Sequence, residues 1–175
     1  MSIIQPTTTA RSSPQESPPD ALQLLMSEHR EVKAMFQQYQ KLADAGGKGD
    51  ERMLLASQIC VALALHTQVE EEILYPAARE ALASDEDIVD EAYVEHAGAK
   101  NLIAQLKTMT SDQPLFDAKV KVLGEYIDHH VKEEERQMFP QARRADLDLD
   151  ELGMQLQQRK QELMSELGMD AVEEE

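Results

Sequence analysis

Apolar residues recur at a seven-residue period through most of the chain beyond residue 19. The inward positions of a first segment are Leu22, Leu25, His29, Val32, Phe36 and Tyr39. A second gives Leu55, Ile59, Ala62, His66, Val69 or Glu70, and Ile73. A third gives Val89, Ala92, His96, Ala99, Ile103 and Leu106, and a fourth gives Leu123, Ile127, His130, Glu134 and Met138. This period belongs to helices that bury one stripe against one another. No stretch alternates apolar and polar residues with β-branched enrichment, so no strand is predicted.

Local signals place the ends. Asp20, after two prolines, caps a first helix that stops before Gly46-Gly47. A second runs from about Asp50 to Ala83, and Pro76 is expected to bend it or end its regular part. A third starts near Ser84, with Asp85, Glu86 and Asp87 in its first turn, and runs to about Met109. A fourth spans about Pro114 to Arg144, with Pro140 near its end, and a shorter fifth spans Asp148 to Leu167 before Gly168. Short connections between long helices predict an all-α fold: an antiparallel up-down-up-down four-helix bundle with a short fifth C-terminal helix. Residues 1–19, rich in Pro, Ser and Thr, form a disordered tail in this reading. Residues 20–145 form the bundle, and residues 146–175 the last helix and an acidic tail.

Composition narrows the function classes. Hydrophobic residues make up 42% and charged residues 29%, as in soluble globular proteins. No run approaches about 18 consecutive apolar residues, so no membrane partner is expected. The first residues lack a basic stretch followed by an apolar one, and a single cysteine, Cys60, allows no internal disulfide. Both fit a cytoplasmic protein. Cys60, in "QICVALAL", is expected in the core. The net charge of -17 is repelled by phosphate backbones, so nucleic acid is not an expected partner.

The chemistry lies in a repeat. "HTQVEEEILYP" (66–76) aligns without a gap with "HVKEEERQMFP" (130–140), sharing His, two Glu, an aromatic residue and Pro. "EHREVKAMF" (28–36) echoes "EHAGAKNLI" (95–103). Two copies of one helical hairpin therefore each supply a histidine plus His-x-x-x-Glu. The frame His130/Glu134 is chosen over His129/Glu133 because it keeps the spacing to Pro140 and the phase of Leu123 and Ile127. His129 then lies about 100° round the helix, partly exposed. Two of the three glutamates in each "EEE" run are expected to be solvated. Burying two glutamates together is unfavourable unless a cation accompanies them. Four imidazoles and two carboxylates can hold two metal ions, each with two histidines and both glutamates bridging. Such mixed ligation suits iron or manganese and accommodates zinc.

These motifs resemble the hemerythrin-like, HHE cation-binding family over about residues 20–145. The resemblance implies a four-helix bundle enclosing a non-haem di-iron centre with an oxo or hydroxo bridge. Its ligands would be His29, His66, Glu70, His96, His130 and Glu134. Oxygen-carrying members have a second histidine one turn from the first on the third helix, where this chain has Ala92 and Lys100. That departure favours reaction with peroxide, O2 or nitric oxide, including peroxidase- or catalase-like turnover, over reversible oxygen carriage. The alternative is a non-enzymatic module that senses iron, oxygen or redox state, or stores iron. Tyr93, Tyr126, Glu95 and His129 are candidates to complete the metal surroundings. The tail lacks the cysteine that some members use in repairing iron-sulfur centres.

Overall fold

The computed structural model describes residues 19–82, 87–145 and 147–168. The elements are α1 (Ala21–Asp44), α2 (Gly49–Val69), a π-helical turn π1 (Glu70–Leu74), α3 (Tyr75–Ala81), α4 (Asp87–Leu106), α5 (Phe116–Glu133), a second π turn π2 (Glu134–Met138), α6 (Phe139–Arg144) and α7 (Leu149–Glu166). Since α2–π1–α3 and α5–π2–α6 are each continuous, the described residues form five helical rods and no strand.

Asp20 caps α1 as expected, in a reciprocal pair: its side chain accepts from the Gln23 amide, and the Gln23 side chain accepts from the Asp20 amide. Asp148 accepts from the Glu151 amide and opens α7. Gly168, with φ of +66°, closes it. The expected cap at Ser84, with Asp85 and Glu86, lies outside the described residues, as do residues 1–18 and the acidic C-terminus.

Pro76 and Pro140 neither end nor break their helices. In each case the chain widens into a π turn just before the proline. The Tyr75 amide donates to the Glu70 carbonyl and the Phe139 amide to the Glu134 carbonyl, five residues back. The carbonyl five residues before Pro76, that of Glu71, accepts from the Tyr93 hydroxyl at 3.2 Å instead. The extra residue changes the register. Ile73, expected inward, is only partly buried, while Leu74 and Tyr75 are fully enclosed.

α1 packs on α2 and α5, and α4 packs on α5 and α2, so four rods surround a shared interior. One end of that interior holds Leu22, Leu25, Leu74, Tyr75, Met138 and Phe139; the other holds Ile59, Leu63, Ile103, Val120 and Leu123. Cys60 is buried in the latter, and burial pushes its thiol pKa up. α7 lies across α1, α2 and π1, burying Leu156 and Leu163. Gly153 makes the crossing possible: a Cβ there would sit 3.0 Å from the Ala21 amide nitrogen and 3.1 Å from the Pro19 carbonyl oxygen. By length and composition the rod Gly49–Ala81 could cross a membrane. Here its apolar surface is covered by α1, α4 and α7, which is why it shows no single apolar face.

Candidate metal centre

Between the two apolar clusters sit six buried polar side chains: His29, His66, Glu70, His96, His130 and Glu134. They are the six residues expected from the sequence. His29 and His66 present their Nε2 atoms to each other at 3.1 Å, and His96 and His130 do so at 2.9 Å. Glu70 Oε2 reaches one imidazole of each pair, at 3.2 Å from His66 and 3.4 Å from His96. Glu134 Oε2 mirrors it, at 3.4 Å from His29 and 3.5 Å from His130. Each carboxylate thus spans both pairs.

The outer faces of the rings set their tautomers. His66 Nδ1 meets Glu28 at 2.8 Å, His130 Nδ1 meets Glu95 at 2.7 Å, His96 Nδ1 meets Glu71 at 3.0 Å and His29 Nδ1 meets Glu135 at 3.0 Å. A carboxylate only accepts, so the Nδ1–H group of each ring donates outward and the Nε2 lone pair points inward. With the four rings neutral, as metal binding requires, two facing pairs of lone pairs around two carboxylates lack enough donors among the described residues. Both oxygens of Glu70 and Oε2 of Glu134 are buried without a hydrogen bond. A cation at each histidine pair satisfies all of them, so the donor set fits two ions. His29, His66, Glu70 and Glu134 form one compact set, and Glu70, His96 and His130 a second that shares Glu70.

The two halves differ at one position. The Tyr75 hydroxyl donates to Glu134 Oε1 at 2.7 Å and lies 3.0 Å from His96 Nε2. At the matching place in the repeat, Phe139 stacks on His29 with ring centroids 5.8 Å apart. Tyr75, rather than the residues anticipated, is the phenol of this centre. Tyr93 is occupied with the Glu71 carbonyl, Tyr126 lies against Gly98, and the exposed His129 faces Glu95 and Glu133. Glu95 does take part, through the outer nitrogen of His130. Glu71 and Glu135 correct the expectation for the "EEE" runs: in each, one of the two glutamates expected to be solvated holds a histidine. The repeat carried that signal, because it shares two adjacent glutamates and an "EH" pair. So it marked Glu71, Glu135, Glu28, Glu95 and Tyr75 along with the six central residues.

Electrostatics follow the same geometry. Burial first, then Glu134, Glu28 and Glu71, push the Glu70 carboxyl well above its ordinary range. Burial also raises Glu134, but His130 and the other imidazoles outweigh it and hold Glu134 ionised. Burial lowers His66, and together with His130 it brings His96 down to about 3. For His130, burial is outweighed by Glu134 and Glu95, and its pKa rises. In the metal-free protein Glu70 and His130 therefore keep protons that the unfolded chain releases from about pH 4.5 and 6.5 upward. His66 and His96 act oppositely, but their unfolded-state titration is centred at 6.5. Once the unfolded-state histidines are neutral, above about pH 7.5, protons still held at Glu70 and His130 are in excess of those the unfolded state binds. Metal-free protein should then lose stability as pH rises further, by up to about 1.4 kcal/mol per unit for each proton. Metal-loaded protein should not, because the cations replace those protons and bind more tightly as pH rises. Urea unfolding of chelated and loaded protein across this range checks the sign.

Comparison with known proteins bears on the family and the fold. A DNA nickase of Nostoc sp. is 28% identical over 116 residues, which is 66% of this chain but 31% of the nickase; the chain spans less than a third of that relative's length. An uncharacterized protein of Mycobacterium tuberculosis is 24% identical over 147 residues, covering 82% of this chain and 87% of that one. The crystal structure of a hemerythrin HHE cation binding domain-containing protein from Mycobacterium kansasii superposes with a TM-score of 0.69, covering 85% of this chain and 90% of that one. At 21% identity this likeness is one of fold. The hemerythrin HHE cation binding domain matches residues 20–142, and the chain belongs to that family.

Proposed function

We propose that the protein is a non-haem di-iron protein that binds and reacts with O2, peroxide or nitric oxide. The six ligands would be His29, His66, Glu70, His96, His130 and Glu134, carried by an antiparallel up-down-up-down bundle over residues 20–145. The observation that carries this reading is the three orphaned, buried oxygens, both of Glu70 and Oε2 of Glu134, between two inward-facing imidazole pairs. An iron pair, when bound, supplies two-electron redox chemistry and open positions for small diatomic or peroxidic ligands.

The chain's own groups set the conditions for that chemistry. Glu28, Glu71, Glu95 and Glu135 hold each imidazole in one tautomer and orientation. Ala92 and Lys100, one turn either side of His96, offer no imidazole, and Lys100 is engaged with Glu71 at 2.6 Å. The Tyr75 hydroxyl keeps a proton at Glu134 Oε1, since burial and then the nearby glutamates raise its pKa strongly. A cavity of about 350 Å³ between α1 and α5, walled by Phe36, Val120, Ile127 and Val131, reaches His29 and gives small apolar molecules a way in. A net charge of -17 works against contact with nucleic-acid phosphates, so the nickase relative's activity is not part of this reading.

The test is to express the untagged protein in iron-replete medium, reduce it, and add peroxide. The reading predicts two iron ions per chain, a bridged-iron absorption band and repeated peroxide consumption. Two iron ions with ligand binding but no turnover would assign the protein to sensing or storage. Absence of iron would end both readings. Tyr75→Phe should retain both ions but change the absorption band and the rate, because the donor to Glu134 is lost.

A further inference from the structure

The two halves of the repeat are nearly superimposable in their inner chemistry but differ outside it. Glu28 holds His66 with Oε2, and its outer oxygen, Oε1, is bound by the Lys160 ammonium of α7 at 2.6 Å. Glu95 holds His130 in the same way, but α7 packs on α1, α2 and π1, and among the described residues no helix covers Glu95 as α7 covers Glu28. Its outer oxygen lies 3.6 Å from His129 Nε2, which is itself 3.4 Å from Glu133 Oε1. The repeat positions of His129 and Glu133 are Leu65 and Val69 in the first half, both buried in the cluster that includes α7. Solvent exposure alone calls for polar residues here, not for a histidine nitrogen placed between two carboxylates. The three candidate atoms lie within 4.8 Å of one another, a span that one divalent ion with water can bridge. Glu91 lines the same depression and adds negative potential; Asp90, also there, is paired with Arg79.

A second observation points inward. A crevice of about 10 Å³ is lined by Glu95 and Glu133 of the surface cluster and by His130 and Glu134 of the buried centre. It borders both sets, and at roughly one water's volume it suits an ion rather than an organic molecule.

We propose that His129, Glu133 and the outer oxygen of Glu95 form a surface site for a divalent transition-metal ion, from which ions pass into the buried pair. A cation there takes the place at Glu95 that the Lys160 ammonium takes at Glu28. Glu95, with one oxygen on the surface ion and the other on His130, lies between the two sites. The loading role rests on the di-metal reading of the buried centre.

The experiment uses full-length, chelator-stripped protein and Mn2+, followed by electron paramagnetic resonance and stopped-flow uptake. Wild type should bind two ions tightly and a third more weakly. The double variant His129→Asn/Glu133→Gln, altered on exposed side chains and checked for wild-type helicity, should lose the third ion and keep the tight two. It should fill those two about tenfold more slowly, as loss of local charge lowers capture. A third ion that survives the double substitution, or filling at the wild-type rate, would overturn the proposal. If wild type fills no tight positions, the reading of the buried centre has failed and the loading role falls with it. The weak signal, scored separately, distinguishes that failure from loss of the surface site alone.

Discussion

Glu70→Leu should abolish binding of both ions and, in the absence of metal, leave the protein more stable than wild type. The two effects have one cause. Glu70 is common to both histidine pairs, and both of its oxygens are buried without partners. With ions bound, it supplies negative charge where positive charge sits. Without them it is a buried carboxyl whose pKa is driven up by burial and by Glu134, and leaving such a group unsatisfied costs about 1–3 kcal/mol. Leucine removes that cost and extends the apolar cluster of Leu25, Leu74 and Tyr75. Chelated Glu70→Leu should therefore unfold at higher urea than chelated wild type, by about 1–3 kcal/mol. In excess metal the order should reverse, since each ion present at a thousand times its Kd adds about 4 kcal/mol to wild type alone. A side chain retained for packing would give the same sign with and without metal.

Glu28→Ala should weaken metal binding by about 10–100-fold while leaving the six central residues in place. Burial raises the Glu28 carboxyl, but His66 and Lys160 outweigh it and bring it down to about 2, so it is ionised and accepts from both. Without it the His66 ring is free to change tautomer and turn its lone pair away from the centre. Competition with a coloured chelator reads the affinity. The matched control is Glu72→Ala. Glu72, also in an "EEE" run, is exposed and pairs with Arg159 on α7 at 2.6 Å. A surface pair of that kind contributes about 0–1 kcal/mol, and its loss should leave metal affinity unchanged.

The contrast between these two glutamates shows what the sequence could convey. Seven-residue phase put His29, His66, His96, His130 and Glu134 inward, and the helices place all five there. Residue type combined with repetition singled out Glu70 beside Val69, and both proved to be buried. Phase could not anticipate the π turns. A count at an ideal helical period carries the inward stripe from Glu70 to Ile73, whereas one extra residue per turn brings Tyr75 and Phe139 round to the centre. The proline after each aromatic residue marked the place but suggested a bend, because its usual consequence is a lost hydrogen bond. At Pro76 that loss is met by the Tyr93 hydroxyl, which comes from another helix and is invisible to any local pattern. The repeat marked the outer carboxylates, but composition masked their role. In a chain of net charge -17, "EEE" looks like solvated surface until the ring that each glutamate touches is known.

The most direct test is an anomalous-diffraction structure of iron-loaded protein, with data collected at the iron edge. Two peaks per chain should appear, one about 2 Å from the Nε2 atoms of His29 and His66 and one about 2 Å from those of His96 and His130, both within reach of Glu70 and Glu134. A chain in which iron-replete growth leaves no peak between those histidine pairs, or a single peak elsewhere, would contradict the account.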